Sequence, residues 1–164
     1  MSLASLVERL SRAESPWVYK IDLVGRPDAC WTAREVSSEV AIVCFDAGIM
    51  TTLEDFFEVV ADGLSFPDYF GHNWPAFDEC LADVYEWLSV RTLVLLFVNS
   101  EMLLSHDQAD LPTLIRIIEK VARELAEEIS EGQSWDRPSV ALHAVFDWGI
   151  EATAVGGGLP QLEV

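Results

Sequence analysis

Three short strand-like runs constrain the fold most: Val40–Phe45 (VAIVCF), Thr92–Val98 (TLVLLFV) and Val140–Phe146 (VALHAVF). Each is too short for a buried helix and rich in β-branched or aromatic residues, which suits a strand. The first is continuously apolar, so burial on both faces is expected of it. His143 falls inside the third and reads as a packed or edge residue. Between the runs the apolar spacing turns helical. Leu53, Phe56, Phe57 and Val60 form one stripe, capped by Thr51 or Thr52 and ending near Gly63. Leu114, Ile117, Ile118, Val121 and Leu125 form another over about Thr113–Ser130, introduced by Pro112. Strands that alternate with helices pair in parallel through right-handed crossovers. The expected fold is therefore α/β, a small and mainly parallel three-stranded sheet packed by helices.

Residues 1–38 read as an N-terminal extension. Leu3–Leu10 has helical spacing, Ser15–Pro16 ends it, and Trp17–Val24 alternates like a half-buried edge strand. Residues 39–150 then form the main domain. Residues 151–164, with Gly156–Gly158, have the composition of a flexible tail.

The segment Phe66–Leu88 (FPDYFGHNWPAFDECLADVYEWL) carries most of the functional signal. Asn73 is suited to cap a helix and Pro75 falls in its first turn, where a missing N–H costs little. At helical spacing Ala76, Phe77, Cys80, Leu81, Val84, Trp87 and Leu88 take one side. Asp78, Glu79, Asp83 and Glu86 take the other, with Ala82 among them and no cation in the helix. A charge run on a helix is ordinarily a solvated face. Exposed faces usually mix signs, however, and Glu79 and Asp83 are like charges at i and i+4, which destabilises. Asp78 and Glu86 are expected to gain no Lys or Arg neighbour, and Tyr69, Phe70 and Trp74 read as surface aromatics beside the helix, the residue type that binding patches use.

Composition points the same way. The chain has 28 acidic and 10 basic residues, a net charge of −18. Such a surface repels nucleic acid and anionic membrane and favours capture of basic partners. No apolar run approaches the ~20 residues a membrane helix needs, and the N-terminal residues lack a secretory h-region, so a cytoplasmic protein is expected. Cys30, Cys44 and Cys80 are odd in number and lack a CxxC pair, which predicts neither a disulfide framework nor a zinc site. His106 with Asp107 and Asp110 in a polar loop invites a metal reading, but two carboxylates and one imidazole are common in loops and carry little weight. No nucleophile elbow, P-loop or dinucleotide fingerprint is present. The expectation is a non-enzyme with no cofactor, no metal and a basic protein partner.

Pro67, Tyr69, Phe70, Gly71 and Asn73, followed without a gap by Ala76, Phe77, Glu79, Cys80 and Leu81, resemble the barstar-like inhibitors of secreted guanyl-specific ribonucleases. A weaker likeness of element order extends over about Val40–Trp148. The resemblance implies the same α/β fold and an inhibitor that blocks a basic ribonuclease or nuclease toxin with an acidic helix and adjoining loop. It implies that Tyr69 and Gly71 lie on the inhibitory loop, with Phe70, His72 and Trp74 as neighbours. Asn73 would cap the helix and orient the loop, Glu79 would make the main acidic contact, and Asp78 and Asp83 would flank it. The chain departs from the family pattern at Pro75, where many members carry Asp. It departs again at Glu79, where the founding member has the shorter Asp, and at Asp78, where that member has an aromatic residue. The alternative is a barstar-fold interaction or regulatory module for another basic partner, without ribonuclease inhibition.

Overall fold

A computed structural model describes residues 3–22, 38–148 and 158–162. Helix α1 (Leu3–Leu10) leads to strand β1 (Val18–Ile21), and after the gap come β2 (Val40–Asp46), α2 (Leu53–Gly63) and α3 (Trp74–Leu88). Strand β3 (Thr92–Val98), α4 (Leu111–Ala126) and β4 (Ala141–Asp147) complete the order. All strand pairs are parallel and the sheet order is β1-β4-β3-β2. The fold class is α/β, as expected, but the sheet has four strands rather than three. The fourth comes from the N-terminal arm, where β1 sets Val18 opposite Ala144 and Ile21 opposite Asp147.

Val40–Phe45 meets apolar layers on both faces of the sheet, as expected, with Phe45 in one core and Ile42 in the other. β2 is an edge strand among the described residues, with only Ile42 and Phe45 fully buried. Continuous apolarity reports coverage above and below the sheet but not whether a neighbour lies alongside. The central strands β3 and β4 are buried almost throughout.

One sheet face carries α2, α3 and α4. Phe45, Phe97 and Phe146 run across it as a stack, with ring centroids 5.1 and 4.8 Å apart. Phe77, Leu81 and Val84 of α3 bury fully against this layer. Burial is worth about 1.5–3 kcal/mol for each such side chain. That outweighs the few tenths of a kcal/mol that like charges at i and i+4 cost the outer face, so the acidic helix is held by its inner side. Gly63, at the end of α2, passes close to the sheet: a Cβ there would sit 2.5 Å from Phe45 Cε1.

The opposite face is smaller. Leu10 of α1 and Leu162 cover Tyr19, Ile21, Ile42, Val94, Leu96 and Val145. Of the tail expected to be flexible, residues 158–162 dock on β1: the Lys20 N–H donates to the Pro160 carbonyl at 3.0 Å and the Leu162 N–H to the Lys20 carbonyl at 2.8 Å. The buried Leu162 side chain supplies the apolar anchor for this contact.

α4 begins two residues earlier and ends four residues sooner than its apolar stripe suggests. The Arg137 guanidinium donates to the carbonyls of Glu124, Leu125 and Glu127 at 2.8–3.0 Å, serving the open C-terminal carbonyls of the helix. The cysteine expectation is also corrected. Cys44 is disulfide-bonded, while Cys80 is a free buried thiol.

Candidate functional site

The candidate site is the loop from α2 to α3 and the outer face of α3. Thr52 starts α2 with a reciprocal capping box, its hydroxyl accepting from the Asp55 N–H and the Asp55 carboxylate accepting from the Thr52 N–H. Asp107 adds a distant cap, accepting from the Leu53 N–H at 2.9 Å. After α2 the chain turns sharply at Ser65, and the Trp87 indole N–H donates to the Leu64 carbonyl at 2.9 Å, tying the loop's start to the far end of α3.

Phe70 and Trp74, expected as surface aromatics, are anchors instead. Phe70 is only 5% exposed and packs against Phe66 and Phe57 at 5.0 and 6.0 Å. Trp74 is half-buried against Phe57 at 5.0 Å, and its indole N–H donates to Asp110 Oδ1 at 2.9 Å. A short loop that carries three aromatics lowers its free energy by turning two of them into the core. Tyr69 alone stays outside, 73% exposed.

Asn73 caps α3 as expected, its Oδ1 accepting from the Ala76 N–H at 2.9 Å. Its Nδ2 donates to the Gly71 carbonyl at 3.0 Å, which fixes the loop's last turn to the helix start. A Cβ on Gly71 would lie 3.0 Å from that same Nδ2. His72 takes a left-handed conformation, φ 48°, with its exposed ring 4.9 Å from Phe70. It lines two shallow grooves. One is lined by Glu54, Glu58, Asn73 and Trp74, the other by Asp62, Pro67, Asp68 and Phe70.

On α3 the acidic face divides in two. Glu79, Asp83 and Glu86 form one stripe, with no Lys or Arg partner among the described residues. Asp78 leaves that set. Lys120 of α4 donates to both of its carboxylate oxygens, at 2.8 and 2.9 Å, and also approaches Glu124 at 3.7 Å. The expectation that Asp78 lacks a cationic neighbour is thus overturned by a residue from another helix, and this hydrogen bond chiefly holds the Lys120 ammonium above its ordinary value. Tyr69 lies over the remaining stripe. Its phenol is held above the usual range, first by partial removal from water and then by Cys80, Asp83, Glu79 and Glu86. Burial, with Glu79 and Asp83, also pushes the Cys80 thiol up, away from the thiolate a nucleophile needs.

Sequence reasoning missed Asp107, Asp110 and Lys120, which act on the site from distant positions. It also missed a second acidic stripe on α2, where Glu54, Glu58 and Asp62 are exposed at four-residue spacing. That spacing is readable in the sequence. Its placement beside His72 is not. Among the described residues no group of three or more His, Cys, Asp or Glu is placed to hold a metal ion, and no helix is long and apolar enough to cross a membrane.

Compared with known proteins, the sequence matches the family described as Barstar (barnase inhibitor) over residues 40–134, more than half of the chain. The chain belongs to the barstar family. No curated protein matches it. The barstar-family match spans β2 through the loop after α4, and so includes Tyr69, the capping Asn73 and the whole acidic stripe. It leaves α1, β1 and β4 outside. The family is one of ribonuclease inhibitors, and its members are not enzymes.

Proposed function

We propose that this protein inhibits a basic ribonuclease or related nuclease toxin by covering its active site with the α3 stripe and the Tyr69 loop. The observation that carries the reading is the pairing of an aromatic side chain left 73% exposed with three carboxylates that have no Lys or Arg partner among the described residues. A nuclease site presents cations where phosphates bind, and carboxylates can take those positions through charge-assisted hydrogen bonds. Glu79 is the central contact, Asp83 and Glu86 flank it, and Tyr69 supplies contact area beside them. Gly71 and Asn73 set the loop, and Phe70 and Trp74 hold it from below. The partner is a secreted basic enzyme and the inhibitor a cytoplasmic protein that meets it before export.

The Asp78–Lys120 pair favours a second reading, a barstar-fold module for a different basic partner. It removes one carboxylate from the face and brings a cation near its border. RNA cleavage by a barnase-type ribonuclease, titrated with the protein and with Glu79→Ala, separates the two. Stoichiometric inhibition that weakens about tenfold or more in the variant, the range for a lost charge-assisted hydrogen bond, supports the inhibitor. Undiminished cleavage at excess protein would reject it in favour of the second reading.

A further inference from the structure

His143 lies in the middle of β4 and is 1% exposed, a charge-capable group in a small apolar core. The proposed contact with a partner leaves it unused. Its Nε2 lies 2.9 Å from the Arg12 carbonyl oxygen, which can only accept, so that nitrogen carries the proton of the neutral ring. Nδ1 is buried without a hydrogen-bond partner among the described residues. Trp17 stacks on the ring at 5.6 Å and Tyr19 approaches it at 5.9 Å. Every one of these partners belongs to the N-terminal arm, which the family match does not cover.

We propose that His143 is a pH-sensitive latch, holding the arm formed by α1 and β1 on the sheet when neutral and releasing it when protonated. Few charged groups face the ring. Arg12 and Glu14 come from the loop after α1, 3.8 Å from each other, and β1 contributes Tyr19, with Arg9 of α1 5.8 Å over its ring. The rest of that core is apolar, with Leu10 from α1, Val94 from β3, Val145 from β4 itself and Leu162 from the tail. A second proton would put a full charge on the ring in this setting, where Glu14 alone among the described residues offers an opposite charge. The ring is accordingly held below the ordinary imidazole range, chiefly by burial, with the Arg12 and Pro16 carbonyls and Glu14 acting in the other direction. Between that lowered value and about 6.5, the released arm binds more protons than the docked arm. Docking is therefore complete above this window and weakens as pH falls through it.

The test uses the whole chain. Histidine resonances are titrated beside unstructured histidine peptides as references. Amide exchange, corrected for its intrinsic pH dependence, is followed at Ala144 of β4, whose N–H donates to the Trp17 carbonyl of the arm, and at Leu95 of β3. The expected result is that His143 titrates below the references. Protection at Ala144 should drop by up to about tenfold per pH unit in the window, the limit for one proton, while Leu95 stays protected. His143→Phe, or His143→Asn if the ring change prevents folding, should abolish the pH dependence at Ala144. A His143 that titrates at or above the references would overturn the latch. So would pH-independent protection at Ala144 in the unmodified chain, or pH dependence that persists in a variant without the imidazole.

Discussion

Adjacent aromatics in the loop have opposite duties, and single substitutions separate them. Phe70→Ala empties a buried site between Phe57 and Phe66 and should destabilise the protein by about 3–5 kcal/mol in chemical unfolding. Tyr69→Ala removes an exposed ring and should shift stability by less than about 0.5 kcal/mol. If Tyr69 contacts a ribonuclease, the same change should lower affinity severalfold in a binding titration while the melting temperature holds. Glu79→Ala should weaken binding more than Glu86→Ala, because Glu79 lies nearer the fixed loop. Equal effects would mean that general charge attracts the partner and no contact is central. The sequence showed which residues were aromatic and which acidic, and helical spacing put Glu79 and Asp83 on one face. It could not show that Phe70 turns inward or that Lys120 reaches Asp78 from another helix, because both depend on packing between distant segments.

Helix ends and close approaches decide where the site sits. Thr52→Ala should cost about 1 kcal/mol, since the capping box loses its side-chain acceptor. Asn73→Ala should cost a similar amount and also free the Gly71 carbonyl, so the loop should show faster amide exchange. Gly63→Ala is the sharper case. The added methyl would meet Phe45 at 2.5 Å, and Phe45 is itself buried between the helix and Phe97, so unfolding measurements should report a loss of about 1–3 kcal/mol. These elements were legible because helix caps and amphipathic stripes are local signals. The position of β2 at the edge was not, since strand order is set by contacts the local pattern does not encode. The end of α4 escaped for a related reason: its closing donor, Arg137, lies beyond the helix.

At the scale of the whole molecule the net charge of −18 matters more than any single ion pair. Self-repulsion of that size opposes the compact state and is screened by salt within about 10 Å at 0.1 M. Raising salt from low to moderate concentration should therefore raise the melting temperature in a thermal scan. The same salt should slow association with a basic ribonuclease, so stability and binding should move in opposite directions.

The order β1-β4-β3-β2 also governs when the protein can finish folding. His143 and Arg12 meet across 131 residues of chain, a closure costing about 4 kcal/mol in entropy if made directly. During synthesis the segment from β2 to β3 can assemble first, drawing the distant ends closer as it forms. Trp17, Tyr19 and Ile21 must then wait, without their sheet edge to join, until β4 has left the ribosome. β1 is made well before the strand it pairs with, and in that interval its apolar side chains are within reach of a chaperone.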